Sequence, residues 1–170
     1  MKIIPESLIM KILCFFIVLS IFPQTISAET VMTLRPLVGY GVSNSDDTQF
    51  DGNVRHLGIR ALLHTDGNRR FGLELNRFQF DKNDKARDFY AFGIVLEQTL
   101  ANWFKMSVGT VGYVRYGPGS DSPVGIVTNL GWEPNTSKSL KPYIVLRNDI
   151  IFHDQTNTIS SVSFGLNWMF

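Results

Sequence analysis

Beyond residue 28 the sequence contains no cysteine, because the single one, Cys14, lies upstream. A chain processed there has no disulfide and no thiolate for catalysis or metal binding, so its stability rests on burial and backbone pairing. Net charge is lacking too. Lys2 and Lys11 are two of the 16 basic residues and Glu6 is one of the 15 acidic ones, which leaves 14 of each sign downstream. A neutral chain without a basic cluster carries no electrostatic footprint for nucleic acid and no polybasic membrane tether. Downstream there is also no apolar run approaching the roughly 20 residues of a membrane-spanning helix.

Upstream the picture reverses. Lys2 and Lys11 flank the start of the apolar run ILCFFIVLSIF, and PQTISA ends on the small Ala28. A charged start, an apolar core and a small-residue end are expected of a secretory signal peptide over residues 1–28, cleaved after Ala28. Its core is too short to cross a bilayer comfortably, and Leu13 before Cys14 is not the small residue that lipoprotein acylation requires. The mature chain, 29–170, is long enough for one domain.

What this chain has is alternation. Turn-rich stretches separate eight segments of strand length: 31–41, 54–64, 70–80, 88–100, 103–116, 123–133, 140–153 and 159–170. In the second, Leu57, Ile59, Ala61 and Leu63 oppose His56, Gly58, Arg60 and His64. In the seventh, Ile144, Leu146, Ile150 and Phe152 oppose Arg147 and Asp149. In the last, Val162, Phe164, Leu166, Trp168 and Phe170 oppose Ser161, Ser163, Gly165, Asn167 and Met169. A period of two defines strands with one apolar face. The third is least regular, since Phe78 and Phe80 share the face of Glu74 and Asn76.

Two architectures accommodate eight such strands: a soluble barrel or sandwich burying the apolar face, or a membrane barrel turning it to lipid. The polar face decides. Glycine, serine and asparagine with single charges dominate it, without the dense Lys/Glu cover of a soluble surface. Large aromatics recur near strand ends, at Tyr40, Phe71, Tyr90, Trp103, Tyr116, Trp132, Phe152 and Trp168, as in interfacial girdles. The expected fold is all-β: an eight-stranded antiparallel up-and-down transmembrane β-barrel. Ala101-Asn102 makes a tight hairpin, whereas SNSDDTQFDGN, DKNDKAR, GPGSDS and DQTNT form polar loops at the other end.

The signal-peptide pattern and the terminal strand carrying Val162, Phe164, Leu166, Trp168 and Phe170 make the chain similar to the small outer-membrane barrels of Gram-negative bacteria. That group includes OmpX, the OmpA membrane domain and the lipid A–modifying barrels. The resemblance implies an outer-membrane location with both termini in the periplasm, and an insertion signal in those five residues. It implies outer-membrane lipid, lipopolysaccharide, the barrel-insertion machinery and periplasmic chaperones as partners, with no nucleic acid and no cofactor.

Candidate chemistry lies on the inward face and at the rim. Alternation turns Arg35, Arg60, Glu74, Glu97, Lys105, Arg115, Glu133, Arg147 and Asp149 inward. Buried ions need partners, and the expected pairs are Glu97 with Lys105 across the tight turn, and Arg60 with Glu74. A filled lumen with a structural or interaction role is one reading, since eight strands leave little interior space. A narrow anion-favouring channel lined by Arg60, Arg115 and Arg147 is another. His56 and His153 fall near the extracellular rim and His64 near the opposite one. His153, Asp154 and Ser120 or Ser122 supply the residue types of a hydrolase or acyltransferase, but no catalytic elbow surrounds them. The lipid A deacylases resemble this chain in architecture and use a His-x-Ser-Asn stretch. Here it reads His153-Asp154-Gln155-Thr156-Asn157, without the serine. The start of DDTQFDG mimics an EF-hand, but Gly58 stands where a bidentate Glu is needed, so no metal site is expected.

Overall fold

The computed structural model describes residues 31–44, 51–65, 68–82, 85–114, 122–136, 138–153 and 156–170. Eight strands follow in chain order: β1 (Met32–Asn44), β2 (Gly52–His64), β3 (Arg69–Lys82), β4 (Lys85–Thr99), β5 (Phe104–Val114), β6 (Val124–Trp132), β7 (Leu140–Phe152) and β8 (Thr156–Met169). Each pairs antiparallel with its neighbour, and β8 returns to β1, so the sheet closes into a barrel without free edges. Reciprocal bonds of 3.0 and 3.1 Å between Met32 and Phe170 finish the seam.

Register sets the cylinder. Cross-strand partners traced once around run Met32, Leu63, Phe71, Leu96, Val108, Thr128, Asn148, Ser160 and back to Val42. The path returns ten residues further along β1. With about 3.3 Å per residue and about 4.8 Å between strands, that stagger tilts the strands by about 40° and gives a backbone radius of about 8 Å. Side chains fill such an interior.

The alternation read from the sequence holds, with one face inward and buried and the other outward. Leu57, Phe92, Val108, Leu146 and Phe164 are among the outward apolar residues. Tyr40, Tyr90 and Phe152 face out at the end away from the chain termini, and Trp103 and Trp168 face out at the near end. Tyr116 lies outside the described residues.

Three features depart from expectation. Of DKNDKAR, Asp81 and Lys82 belong to β3 and Lys85, Ala86 and Arg87 to β4 rather than to a loop, with Asp81 paired to Ala86 and Lys82 to Lys85; Asn83 and Asp84 lie outside the described residues. A hairpin continued past the lipid needs no apolar alternation, so polarity misplaces its ends. The near-end hairpin occupies Leu100–Trp103 rather than two residues, with the Leu100 N–H donating to the Phe104 carbonyl at 2.9 Å. The β4–β5 register is centred on Asn102 rather than Ala101, which places Lys105 opposite Thr99 and Glu97 opposite Ser107, so Glu97 and Lys105 are not cross-strand partners.

The inward face also demands particular glycines. A Cβ at Gly131 would overlap the Tyr143 hydroxyl and ring, which lie across its backbone. At Gly112 the nearest atom to an added Cβ is the Phe92 carbonyl oxygen at 3.9 Å. Gly131→Ala is therefore expected to destabilise the refolded barrel by about 1–3 kcal/mol, and Gly112→Ala to stay within about 0.5 kcal/mol of wild type. Urea midpoints in detergent micelles, read as loss of heat-modifiable gel mobility, check both. Equal midpoints for the two variants would sink this account of Gly131.

Candidate functional site

Inside the barrel, four buried cations, Arg35, Arg60, Lys105 and Arg147, meet four buried carboxylates, Glu74, Glu97, Glu133 and Asp149, among the described residues. They form one connected chain. At the near end, Glu133 accepts hydrogen bonds from Lys105 and Asn167 and lies 3.5 Å from the Lys141 ammonium. Burial pushes the Glu133 carboxyl upward, but the Lys105 contact and the charges of Arg70 and Arg35 outweigh it and hold it below the usual carboxylate range.

Asn167 in turn accepts from Arg35 Nε. The Arg35 guanidinium grips Glu97 with two donors, at 2.6 and 3.2 Å, the bidentate geometry that suits a buried pair. Its carbon lies 3.8 Å from the Tyr143 ring centre, so the cation also sits on an aromatic face. Arg70 also donates to Glu97 Oε1, at 3.1 Å, sharing that oxygen with Arg35.

Arg60 continues the chain. It stands 3.9 Å from Glu97, donates to Glu74 at 2.6 and 3.0 Å, and reaches the Ser107 hydroxyl at 3.3 Å. The far oxygen of Glu74 touches Arg147 at 2.9 Å, although the N–H does not aim at it. Arg147 donates twice to Asp149, both at 2.7 Å, and the Tyr113 hydroxyl donates to Asp149 at 2.8 Å. Tyr113 is the hinge between two kinds of filling. Beyond it the far end is closed by Val54, Phe78, Phe80, Phe89, Ile151 and Ile159, all at most 2% exposed. Phe78 stacks on Phe89 at 4.9 Å, and Phe89 meets Tyr113 edge-on at 5.8 Å.

The expectation of small and polar residues throughout the inward face thus covers only part of it. Phe78 and Phe80 on the face of Glu74 were the visible signal, and the odd-numbered positions of β5 that hold Lys105 also bring Tyr113 inward. Sequence reasoning likewise missed Arg70, Lys141, Asn167 and Tyr143, although each shares its strand's inward parity. His56 is not a rim residue: it is buried, with Nδ1 3.2 Å from the Ser163 hydroxyl and its ring stacked on Phe78. His64 meets the Thr33 hydroxyl at 2.7 Å. His153 and Ser122 are exposed beside the far ends of β7 and β6. Arg115, Ser120 and Asp154 lie outside the described residues.

No protein-family model matches the chain, and no curated protein sequence does. Solved structures do. Ail of Yersinia pestis superposes with a TM-score of 0.53 at 12% identity, over 84% of this chain and 99% of that one. Neisserial surface protein A gives 0.57 at 11% identity, over 81% and 98%. The N-terminal barrel domain of Pseudomonas aeruginosa OprF gives 0.51 at 8% identity, over 82% and 100%. The fold is therefore that of the small eight-stranded outer-membrane β-barrels.

Within the network Glu74 is the junction, because it serves both Arg60 and Arg147. Glu74→Gln leaves two buried guanidinium groups short of a charge partner and is expected to cost about 3–5 kcal/mol. The exposed outward pair Arg77–Asp88 is the control, and Arg77→Ala should leave the unfolding midpoint unchanged within error. Midpoints from urea unfolding in micelles check both. A Glu74→Gln barrel as stable as wild type would contradict the junction role.

Proposed function

We propose that the protein is a barrel of the Gram-negative outer membrane whose lumen is filled, and that its role is structural or interactive rather than conductive. The observation that supports this most is the continuous filling: an ionic chain from the near end meets stacked rings at the far end. A narrow anion channel lined by Arg60, Arg115 and Arg147 is less well supported, because the guanidinium groups of Arg60 and Arg147 are held by Glu74 and Asp149. For an enzyme acting through His153, Asp154 and Ser120 or Ser122, Asp154 and Ser120 lie outside the described residues, and His153 and Ser122 are exposed.

In this reading residues 1–28 direct export, the near end faces the periplasm, and the far-end loops face outside. The outward face meets outer-membrane lipid and lipopolysaccharide. Val162, Phe164, Leu166, Trp168 and Phe170 present one outward apolar row to the insertion machinery, after delivery by periplasmic chaperones. Trp168 and Phe170 contact edge-on at 5.4 Å, so the last two members form one aromatic surface.

Purified protein in a planar bilayer is expected to give no discrete single-channel openings. Stepwise conductance in the heat-modifiable, membrane-inserted form would overturn the filled-lumen reading. Phe170→Ser is expected to slow appearance of the folded band in the outer-membrane fraction several-fold while leaving refolding in detergent intact. A variant inserted at the wild-type rate in cells would remove the last row as an insertion signal.

A further inference from the structure

The lipid-facing surface of β7 reads Leu140, Pro142, Ile144, Leu146, Asn148, Ile150 and Phe152. One amide thus interrupts an apolar row, four residues before Phe152 and so about 10 Å nearer the barrel's middle. It does not stand alone. Thr128 on β6 and Ser160 on β8 are its direct cross-strand partners, and the Ser160 hydroxyl donates to Asn148 Oδ1 at 2.8 Å. Thr128, Asn148 and Ser160 thus form a hydroxyl–amide–hydroxyl row on the outward face, able to hydrogen-bond a ligand that reaches it.

Alongside this row runs a groove of about 740 Å³ whose lining is overwhelmingly apolar. Its lower wall is the neighbouring cross-strand row: Met106, Leu130, Leu146, Val162 and Tyr40. Because the strands tilt by about 40°, that row climbs about 12 Å from Met106 to Tyr40. Tyr40 pairs with outward-facing Arg55, and a charged side chain beside an aromatic ring marks the edge of the hydrocarbon. The groove therefore descends from a polar mouth at Tyr40, Ser160 and Asn148 into a purely apolar end at Leu130 and Met106.

We propose that this groove is a binding site for one acyl chain of an outer-leaflet glycolipid of the lipid A type. The inference rests on the outer-membrane reading above, which places the far end in the outer leaflet. The polarity gradient matches a chain whose linkage lies at the hydrocarbon edge. With Asn148 Oδ1 engaged by Ser160, the row offers the Asn148 amide as donor and the hydroxyl oxygens as acceptors. An amide-linked, hydroxylated chain uses both, whereas the ester carbonyls of a phospholipid use the donors only.

The test uses the full mature barrel refolded in detergent and titrated separately with rough lipopolysaccharide and with phosphatidylethanolamine, with adducts read by native mass spectrometry. Wild type is expected to retain lipopolysaccharide in preference to the phospholipid. The double variant Asn148→Leu, Ser160→Val is expected to lose about tenfold in lipopolysaccharide occupancy, as for removal of one or two net hydrogen bonds. Both substitutions place apolar groups on the lipid-facing wall, so the heat-modifiable folded band is retained. Equal occupancy in the variant, preference for phosphatidylethanolamine, or a protein dimer abolished by the variant would each overturn the site. Absence of the protein from the outer-membrane fraction of cells would instead overturn the proposed location.

Discussion

Everything inside this barrel depends on pairing charges that cannot reach water. A cylinder of about 8 Å backbone radius has room for side chains but little for solvent, and each unpaired ion there costs several kcal/mol. The sequence meets this with a linear relay: Lys141, Glu133, Asn167, Arg35, Glu97, Arg60, Glu74, Arg147 and Asp149, each in contact with the next through a hydrogen bond or ion contact. Arginine predominates because a planar fork can hold two carboxylates at once. Arg60 and Arg147 each do so, which ties distant strands together across the lumen rather than along the wall.

The far end is filled by different physics. Past Tyr113 no further charge is needed, and Phe78, Phe80 and Phe89 stack over the ionic chain with Val54, Ile151 and Ile159 around them. The two halves join at a residue with both characters, whose ring belongs to the aromatic stack while its hydroxyl binds Asp149. Glycine completes the fit where a bulky neighbour must cross the wall, as Tyr143 does over Gly131. A lumen so divided makes a bolt through the barrel, and rigidity of the wall is the expected consequence.

Outside, the constraint is inverted, because the wall has to be apolar wherever it meets lipid. That makes exceptions informative. The Arg77–Asp88 pair and Arg55 lie toward the far end of the strands, where polar groups are tolerated. Asn148 lies between Leu146 and Ile150 with hydroxyls on either side. Its surroundings, not the amide itself, give it meaning: a groove, a polar mouth and an apolar floor fall in one oblique line.

Strand number, closure and the facing of nearly every residue were legible in the sequence, because a period of two in a closed sheet leaves only two faces and the apolar one must meet lipid. Arg60 and Glu74 share an adjacent-strand row, so that pair was also legible. Lys105 with Glu133, Arg35 with Glu97 and Arg147 with Glu74 were not. Lys105 meets Glu133 diagonally across the β5–β6 register, and the other two partners are set by side chains crossing the lumen; neither is encoded in local alternation. A register centred on Asn102 rather than Ala101 was enough to separate Glu97 from Lys105. Likewise Asn148 reads as an ordinary break in a hydrophobic pattern until closure places Thr128 and Ser160 beside it. The sequence determined which face each residue takes, since that is a local property of the strand; which residues meet was decided by the tertiary structure, because tilt and stagger bring together positions far apart in the chain.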